Sequence, residues 1–505
     1  MVAQVIGTEA GGASRIPAGA KVLGVRAMSP AERKELSIKV LAKTEPIARM
    51  AAEHGVSRKF VYQQGRKAAV AMEDAFAAAD DADVLFDLPI TKSWLQQFIL
   101  GLALEGHAGY RGIVQLSHDL LDCSLSLGTI HNVMQAAAKK GCAINQAQDL
   151  GGVRVGAHDE IYQAHRPVLV GVDADSTYCY LLADAEHCDE DTWGVHLLDL
   201  ERQGLHPQYT VADGGLALRA GQAAAWPQVP CHGDVFHAER ELGTLAFYLE
   251  HRACGCTSAR QKLEHQMERR KRHGRGNELS KRLAVAREAE RTAVELAKGV
   301  RILADWLQED ILSLAGPDLA SRQDLFDFVV QELAAREAFC PHRIGPVRRA
   351  LAGQRDHLLA FAGVLDEAFA ALAEQFDVPA CWVQHLCELE GRNPNSPAYW
   401  QYHGPLLSKL GGKFLPLQQA VRAVMQDTAR ASSVVENLNS RLRNYFFLRR
   451  DLGDGYLDLL RFFLNHHRFH RSRRPERVHK TPTELLTGRD HPHWLELLGF
   501  QRFHR

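Results

Sequence analysis

The sequence lacks any run of about 18 apolar residues free of charge, the least that a helix crossing a bilayer needs, so no membrane-spanning helix is expected. Its opening, MVAQVIGTEAGGASRIPAGAK, lacks the basic-then-apolar order of a secretory signal. Residues 1–29 therefore read as a flexible leader of a cytoplasmic protein. Cysteine is sparse, with ten in 505 residues, which excludes a disulfide scaffold. Only Cys254 and Cys256, in RACGCTS, stand close together; with no second pair at zinc spacing they read as an ordinary reduced loop. Net charge is almost absent, at −1, yet from Glu436 onward 14 Lys and Arg face 8 Asp and Glu. A neutral chain with a basic end leaves room for a polyanionic partner at one surface. No internal repeat is found. Length and an apolar share of 46% fit two to four globular domains.

Present from the start are helical patterns. PIARMAAEHGVSRKFVYQQGRK, inside a unit expected over 30–75, has the grammar of a helix-turn-helix. Ala51 is small where two helices cross, Gly55 permits a tight turn, Val56 points inward, Ser57 caps the next helix and Val61 anchors it. Arg58, Lys59, Tyr62, Gln63, Gln64 and Arg66 remain outside, able to reach phosphates and base edges. A three-helix packing unit without a ligand is the plainer reading. An acidic linker is expected over 76–90. A second helix-turn-helix-like unit is expected over 91–147, its reading helix starting near Ser126 and carrying Thr129, His131 and Asn132. That helix has few charges, so DNA contact and mere packing or dimerisation both stay open.

From residue 150 the pattern changes to strands. VRVGAHDEIYQ, RPVLVGVDADS and TYCYLLADA are three β-like runs with short joins, followed by alternating helices and short strands. The order βββαβαβα fits an α/β RNase H-like core, with its first part over 148–255. Residues 256–425 hold no convincing strand and read as an all-α insertion. Its first basic helix carries Arg269, Arg270, Lys271 and Arg272. The core closes with helices over 426–470, and a basic tail spans 471–505.

Three carboxylates stand where metal-assisted phosphoryl transfer needs them, on rigid strand ends and a helix. Asp159 lies within the first strand, where an unpaired buried acid costs several kcal/mol unless a cation or hydrogen bonds compensate. Asp213, in YTVADGG, ends a short apolar strand; an N-cap aspartate would show the same grammar. Glu436 lies on SSVVENLNSRLRNYFFLRR, whose stripe of Val435, Leu438, Leu442 and Tyr445 has helical spacing. The lone acid there stands among Asn439, Ser440 and Arg443, rather than in the Glu–Lys mixture of a solvated helix.

In the order strand Asp, strand-end Asp, helical Glu, these residues resemble the DDE transposases and integrases. DEIYQAHRPVLVGVDADSTYCYLLADA is similar to the family's first catalytic strand and hairpin, YTVADGG to its second, and VVENLNSRLRNYFFLRR to its Glu helix. FFLNHHRFHRSRRPERVHKTPTELLTG resembles the family's ending. The long separation of Asp213 from Glu436, with DVFH (Asp234 to His237) resembling a (C/D)xxH motif, is similar to bacterial insertion-sequence enzymes with a hAT-like helical insertion. The resemblance implies a transposase with Asp159, Asp213 and Glu436 as catalytic metal ligands for two Mg²⁺ or Mn²⁺ ions. Asp173 or Asp175 could replace Asp159 if the strand register shifts. Asp234 and His237 are implied as structural or accessory residues. DNA is the implied partner, with transposon terminal repeats and target DNA contacted also by Arg441, Arg443, Arg449 and Arg450. At least a dimer on paired ends is implied, in the cytoplasm and associated with the nucleoid. A domesticated DNA-binding descendant, or a nuclease of the same fold without strand transfer, are the rivals.

Overall fold

The computed structural model describes residues 28–76, 88–272, 279–448, 453–472 and 474–502. The chain divides into two compact units, Met1–Pro89 and Ile90–Arg505. Residues 1–27 of the leader, 77–87 of the linker, Arg449 and Arg450 lie outside the described residues, as does the side chain of Lys271.

The first unit holds α1 (Pro30–Leu41), α2 (Ile47–Glu53) and α3 (Arg58–Phe76). A capping box between Ser29 and Glu32 starts α1. Gly55, at φ +61°, makes the turn between α2 and α3, a conformation that costs a side chain but not glycine. Ser57 Oγ then accepts the Phe60 amide at 3.1 Å. Leu36, Met50, Ala51, Phe60 and Val61 form the small core. The crossing of α1 and α3 is close: a Cβ at Gly65 would lie 2.3 Å from Val40 Cγ1.

The second unit opens with α4 (Lys92–Leu104), α5 (Tyr110–Leu121) and α6 (Leu127–Ala147). Then come β1 (Val155–Gln163), β2 (Arg166–Asp173), β3 (Cys179–Asp184), α7 (Glu190–Glu201), β4 (Tyr209–Ala212), α8 (Leu216–Ala225) and β5 (Cys231–Gly233). A long helical stretch follows: α9 (Val235–Lys271), α10 (Ser280–Trp306), α11 (Leu319–Arg336), α12 (Pro341–Phe376), α13 (Ala380–Glu390), α14 (Pro397–Leu410) and α15 (Phe414–Asp427). The chain closes with α16 (Ser433–Phe446), α17 (Asp454–His466), α18 (Pro482–Thr487) and α19 (Trp494–Leu497).

The five strands form one mixed sheet in the order β3-β2-β1-β4-β5. β1 pairs antiparallel with β2, and β2 with β3, whereas β4 runs parallel to both β1 and β5. Strand periodicity sorts the side chains. Ala157, Ile161, Val168, Val170 and Val172 join a core with α16 and α17, and Leu169, Tyr180 and Leu181 join another with Trp193, Leu197, Leu218 and Trp226. Helices α4–α6, expected as a separate unit, share the first of these cores through Ile99, Leu100, Ile130 and Met134. The close approach of α6 to α17 is set by Gly141, where a Cβ would stand 3.1 Å from Phe462 Cβ.

The helical stretch has its own core, drawn from α9 through α15. Helix α9 runs unbroken through the boundary expected at 255/256. Cys254 and Cys256 therefore sit on a helix, not in a loop as the sequence suggested. Two residues apart on a helix, their side chains do not face each other and cannot grip one ion. The glycines of HGRG suggest a break after the first basic helix, and that segment lies outside the described residues. Near CPHRIGP the chain breaks at Glu337–Phe339, and Pro346 lies inside α12. Where α10 ends, a π-helical turn, Leu307–Ile311, leaves carbonyls without helical partners. The buried Arg322 guanidinium donates to Ile311 O and Ser313 O, each at 2.5 Å, and to Pro317 O and Leu314 O. Burial lowers its pKa to about 10.

Candidate active site

Asp159 shares its face of β1 with Ala157 and Ile161, because alternate residues on a strand point the same way. That face is the one covered by α16. The residue is 9% exposed. Oδ1 accepts the Glu160 amide at 2.8 Å, and Oδ2 accepts the Asn439 side-chain amide at 2.7 Å. Burial pushes its pKa up to about 6; the negative charges of Asp213 and Glu436 push the same way, against the Glu160 amide and the positive charge of His237. Both partner carboxylates are thus close enough to be felt.

The parallel register explains the placement of Asp213. His158 pairs with Ala212 and Ala212 with Gly233. The next residues along, Asp159, Asp213 and Asp234, therefore stand beside one another at the same level of the sheet. Asp213 Oδ1 accepts the Gly215 amide at 2.8 Å, tying the turn into α8. Asp173 does not belong to this group. It pairs with Gly156 at the other end of β1, three residues from Asp159 and so about 10 Å along the strand. Its Oδ2 is taken by the amide and hydroxyl of Ser176, which close the β2–β3 turn. Asp175 pairs with Arg154 at 2.7 Å.

Helix α16 delivers Glu436. Val435, Leu438, Leu442, Tyr445 and Phe446 are buried, each worth about 1.5–3 kcal/mol of transfer free energy, and this stripe fixes the helix on the sheet. Asn439, on the same side of the helix as Glu436, is buried and reaches Asp159. Its own Oδ1 is buried without a partner. Glu436 Oε1 faces two basic groups, His237 Nε2 and Arg240 Nη1, both at 3.4 Å. Among the described residues no three His, Cys, Asp or Glu side chains are grouped so as to hold a metal ion as they stand.

Asp234 is the fastener of the site. Its Oδ1 accepts the amides of Phe236 at 2.9 Å and Ser432 at 3.1 Å, and its Oδ2 accepts His237 Nδ1 at 2.5 Å and the Ser432 hydroxyl. Burial alone would raise its pKa, but the hydrogen bonds from His237 and Ser432 outweigh burial and hold it below the usual value. In return, the bond to Asp234 keeps His237 raised, in spite of burial. The two ends of the helical stretch meet here, with Val235 N donating to Arg430 O at 3.1 Å. Arg430 also bonds Glu239 and Leu312 O.

Beside the carboxylates lies a cleft of about 240 Å³ lined by Asp213, His237, Glu241 and Gln354. It shares Glu241 and Ala350 with a groove of about 530 Å³ between α9 and α12, lined by Arg240, Tyr248, His342 and Arg343. Arg343 stacks over the Tyr248 ring at 4.9 Å. The sequence did not mark Arg240, Tyr248, His342, Arg343 or Gln354, because only the fold brings α9 and α12 together.

The remaining residues lie elsewhere. Arg58, Lys59, Tyr62, Gln63 and Arg66 are exposed on α3, with Gln64 half-buried. Thr129, His131 and Asn132 are exposed near the start of α6, which Ser126 caps through the Thr129 amide at 3.0 Å. Arg269, Arg270 and Arg272 are exposed at the end of α9, and Arg443 is exposed on α16. Arg441 is half-buried, and burial lowers its pKa. No protein-family model matches the sequence, and neither does any curated protein.

Proposed function

We propose that the chain is a DDE-type DNA transposase with an RNase H-like core, which binds transposon ends, cleaves DNA and joins the ends to target DNA. One observation carries the reading. Asp159 and Asp213 follow paired residues on neighbouring strands, and the helix that carries Glu436, more than 200 residues later, lies against the same strand through the Asn439–Asp159 bond. The sheet order, with three antiparallel strands extended by two parallel ones, supports the same reading.

The donor set fits Mg²⁺ or Mn²⁺, because all three groups are hard carboxylate oxygens. A buried acid that resists ionisation beside two other acids is also what an arriving cation relieves. Held by Asp159, Asp213 and Glu436, a pair of such ions supplies activation of the attacking hydroxyl and stabilisation of the leaving oxygen. The chain's own residues do the rest. Asn439 and the Glu160 amide fix the orientation of Asp159. His237 and Arg240 neutralise Glu436 until DNA and metal engage it. Arg443, two helical turns beyond Glu436 and on the same side, is exposed to meet a phosphate. The α9–α12 groove offers cations and an aromatic ring to a strand leaving the site. Helix α3 presents the basic and amide side chains that read an end sequence. Paired ends require at least two copies of the chain.

The test is strand transfer by the purified full chain with Mg²⁺ and the DNA ends that flank its gene. Asp159→Asn and Glu436→Gln are expected to yield neither cleaved nor joined products. Full cleavage by either variant would overturn the assignment. Cleavage without joining would leave a nuclease, and end binding without cleavage by the unaltered chain would leave a DNA-binding protein.

A further inference from the structure

A second cavity, of about 610 Å³, opens on a different side of α16. Arg441 lies five residues from Glu436, so the two point about 140° apart around the helix. The cavity is walled by α16, the β2–β3 turn at Thr177 and the segment after α17 from Phe469 to Arg477. Among the described residues four arginines line it, Arg441, Arg471, Arg474 and Arg477, and no Asp or Glu does.

Those charges are poorly compensated. Among the described residues Arg441, Arg471 and Arg474 form no ion pair with a carboxylate. Arg477 donates to the Asp175 carbonyl at 2.6 Å. Its pKa is lowered by burial and by Arg474, against the attraction of Glu476, Asp175 and Asp173. Guanidinium groups gathered in one concavity repel each other and lose hydration, and the pairing that offsets both is a multivalent oxyanion. The segment carrying three of them is held in place. Phe469 N donates to Lys480 O at 2.9 Å and His479 N to Phe469 O at 2.8 Å. Asn465 holds both the amide and the carbonyl of Cys179, at 2.8 Å each, fixing the facing strand. The half-buried Phe469 ring at the wall adds a stacking surface.

We propose that this cavity is a second phosphate-binding site, which holds the backbone of a nucleic-acid strand apart from the carboxylate centre. The phosphate chemistry stands on the arginines alone; that the phosphate belongs to a strand rests on the proposed function. Arg471 and Arg474 are exposed, so Arg471→Gln with Arg474→Gln alters charge without touching the core. Binding of a fluorescent 12-nucleotide single strand to the full chain is measured by anisotropy in EDTA, over a range of salt. Two lost contacts lower the slope of log affinity against log salt by about 1.4, which is about a twenty-fold loss at 0.1 M salt. Asp159→Asn is expected to bind as the unaltered chain does, so failure of catalysis and failure of this site are read separately. Unchanged affinity and slope in the double variant would overturn the proposal. Displacement of the oligonucleotide by inorganic phosphate at a matching phosphate concentration would overturn its assignment to a strand.

Discussion

Replacing Asp159 with asparagine is expected to stabilise the metal-free protein while it abolishes cleavage. Burial raises the Asp159 pKa from 3.8 to about 6. Because the folded value lies above the unfolded one, the native state prefers the protonated acid. Its contribution to stability is full below about pH 4 and is lost as pH rises to about 6. Two pH units correspond to about 3 kcal/mol, an upper bound on what asparagine restores at pH 7.5. The Asn439 Oδ1 has no partner among the described residues, so turning its amide over lets it accept from the new side chain, and the unpaired position then holds its Nδ2 instead, which trims the gain. The assay is thermal unfolding of both proteins in EDTA at pH 7.5 and pH 4. The variant is expected to melt higher by several degrees at pH 7.5 and equally at pH 4. Added Mg²⁺ is expected to raise the melting temperature of the unaltered chain only. A variant that melts at or below the parent at pH 7.5 would refute the electrostatic reasoning.

Asn439→Ala removes the Asp159 Oδ2 donor, so the acid limb of the cleavage pH profile should move to higher pH, with a stability loss of about 1–3 kcal/mol by chemical denaturation. Asp234→Ala strips the acceptor from two backbone amides, His237 and Ser432. Hydrogen exchange at 234–237 and 430–434 should quicken by at least about tenfold, and cleavage should fall with it. Arg240→Gln frees Glu436 from a half-exposed pair at 3.4 Å. Such a pair is worth about 0–1 kcal/mol, so the Mg²⁺ concentration for half-maximal cleavage should drop by no more than about fivefold. Arg322→Met leaves four carbonyls without their donor, and the helical stretch should lose about 3 kcal/mol or more.

The strands could be read in the sequence because their two faces meet two different cores, which makes RPVLVGVD a short, nearly continuous apolar run. The stripe of α16 was equally plain, since Val435, Leu438, Leu442 and Tyr445 repeat at helical spacing and all are buried. Less could be read where a partner comes from far along the chain. Asn439 stood out beside the lone acid, but nothing local shows that its amide ends on Asp159. Arg240 meets Glu436 across 196 positions, a contact that no window along the chain contains. Cys254 and Cys256 suggested a loop because glycine and cysteine interrupt the apolar pattern. Packing of α9 on α10 and α12 overrides that weak preference. The choice between Asp159 and Asp173 rested on register, which pairing across β1 and β2 alone supplies.

The meeting of Val235 and Arg430 also sets a timetable for synthesis. Asp159, Asp213 and Asp234 leave the ribosome about 200 to 280 residues before Glu436, an interval of about 10–55 s at common elongation rates. In that time the sheet's aspartates can pair up, but the third acid does not yet exist. Nor does Ser432, the far half of the Asp234 clasp. A nascent chain therefore carries an incomplete cluster of acids, which closes only once the helical stretch has been made and has brought its end back to its beginning. On the proposed transposase reading, that order of synthesis would keep unfinished chains from cutting the DNA around their own gene.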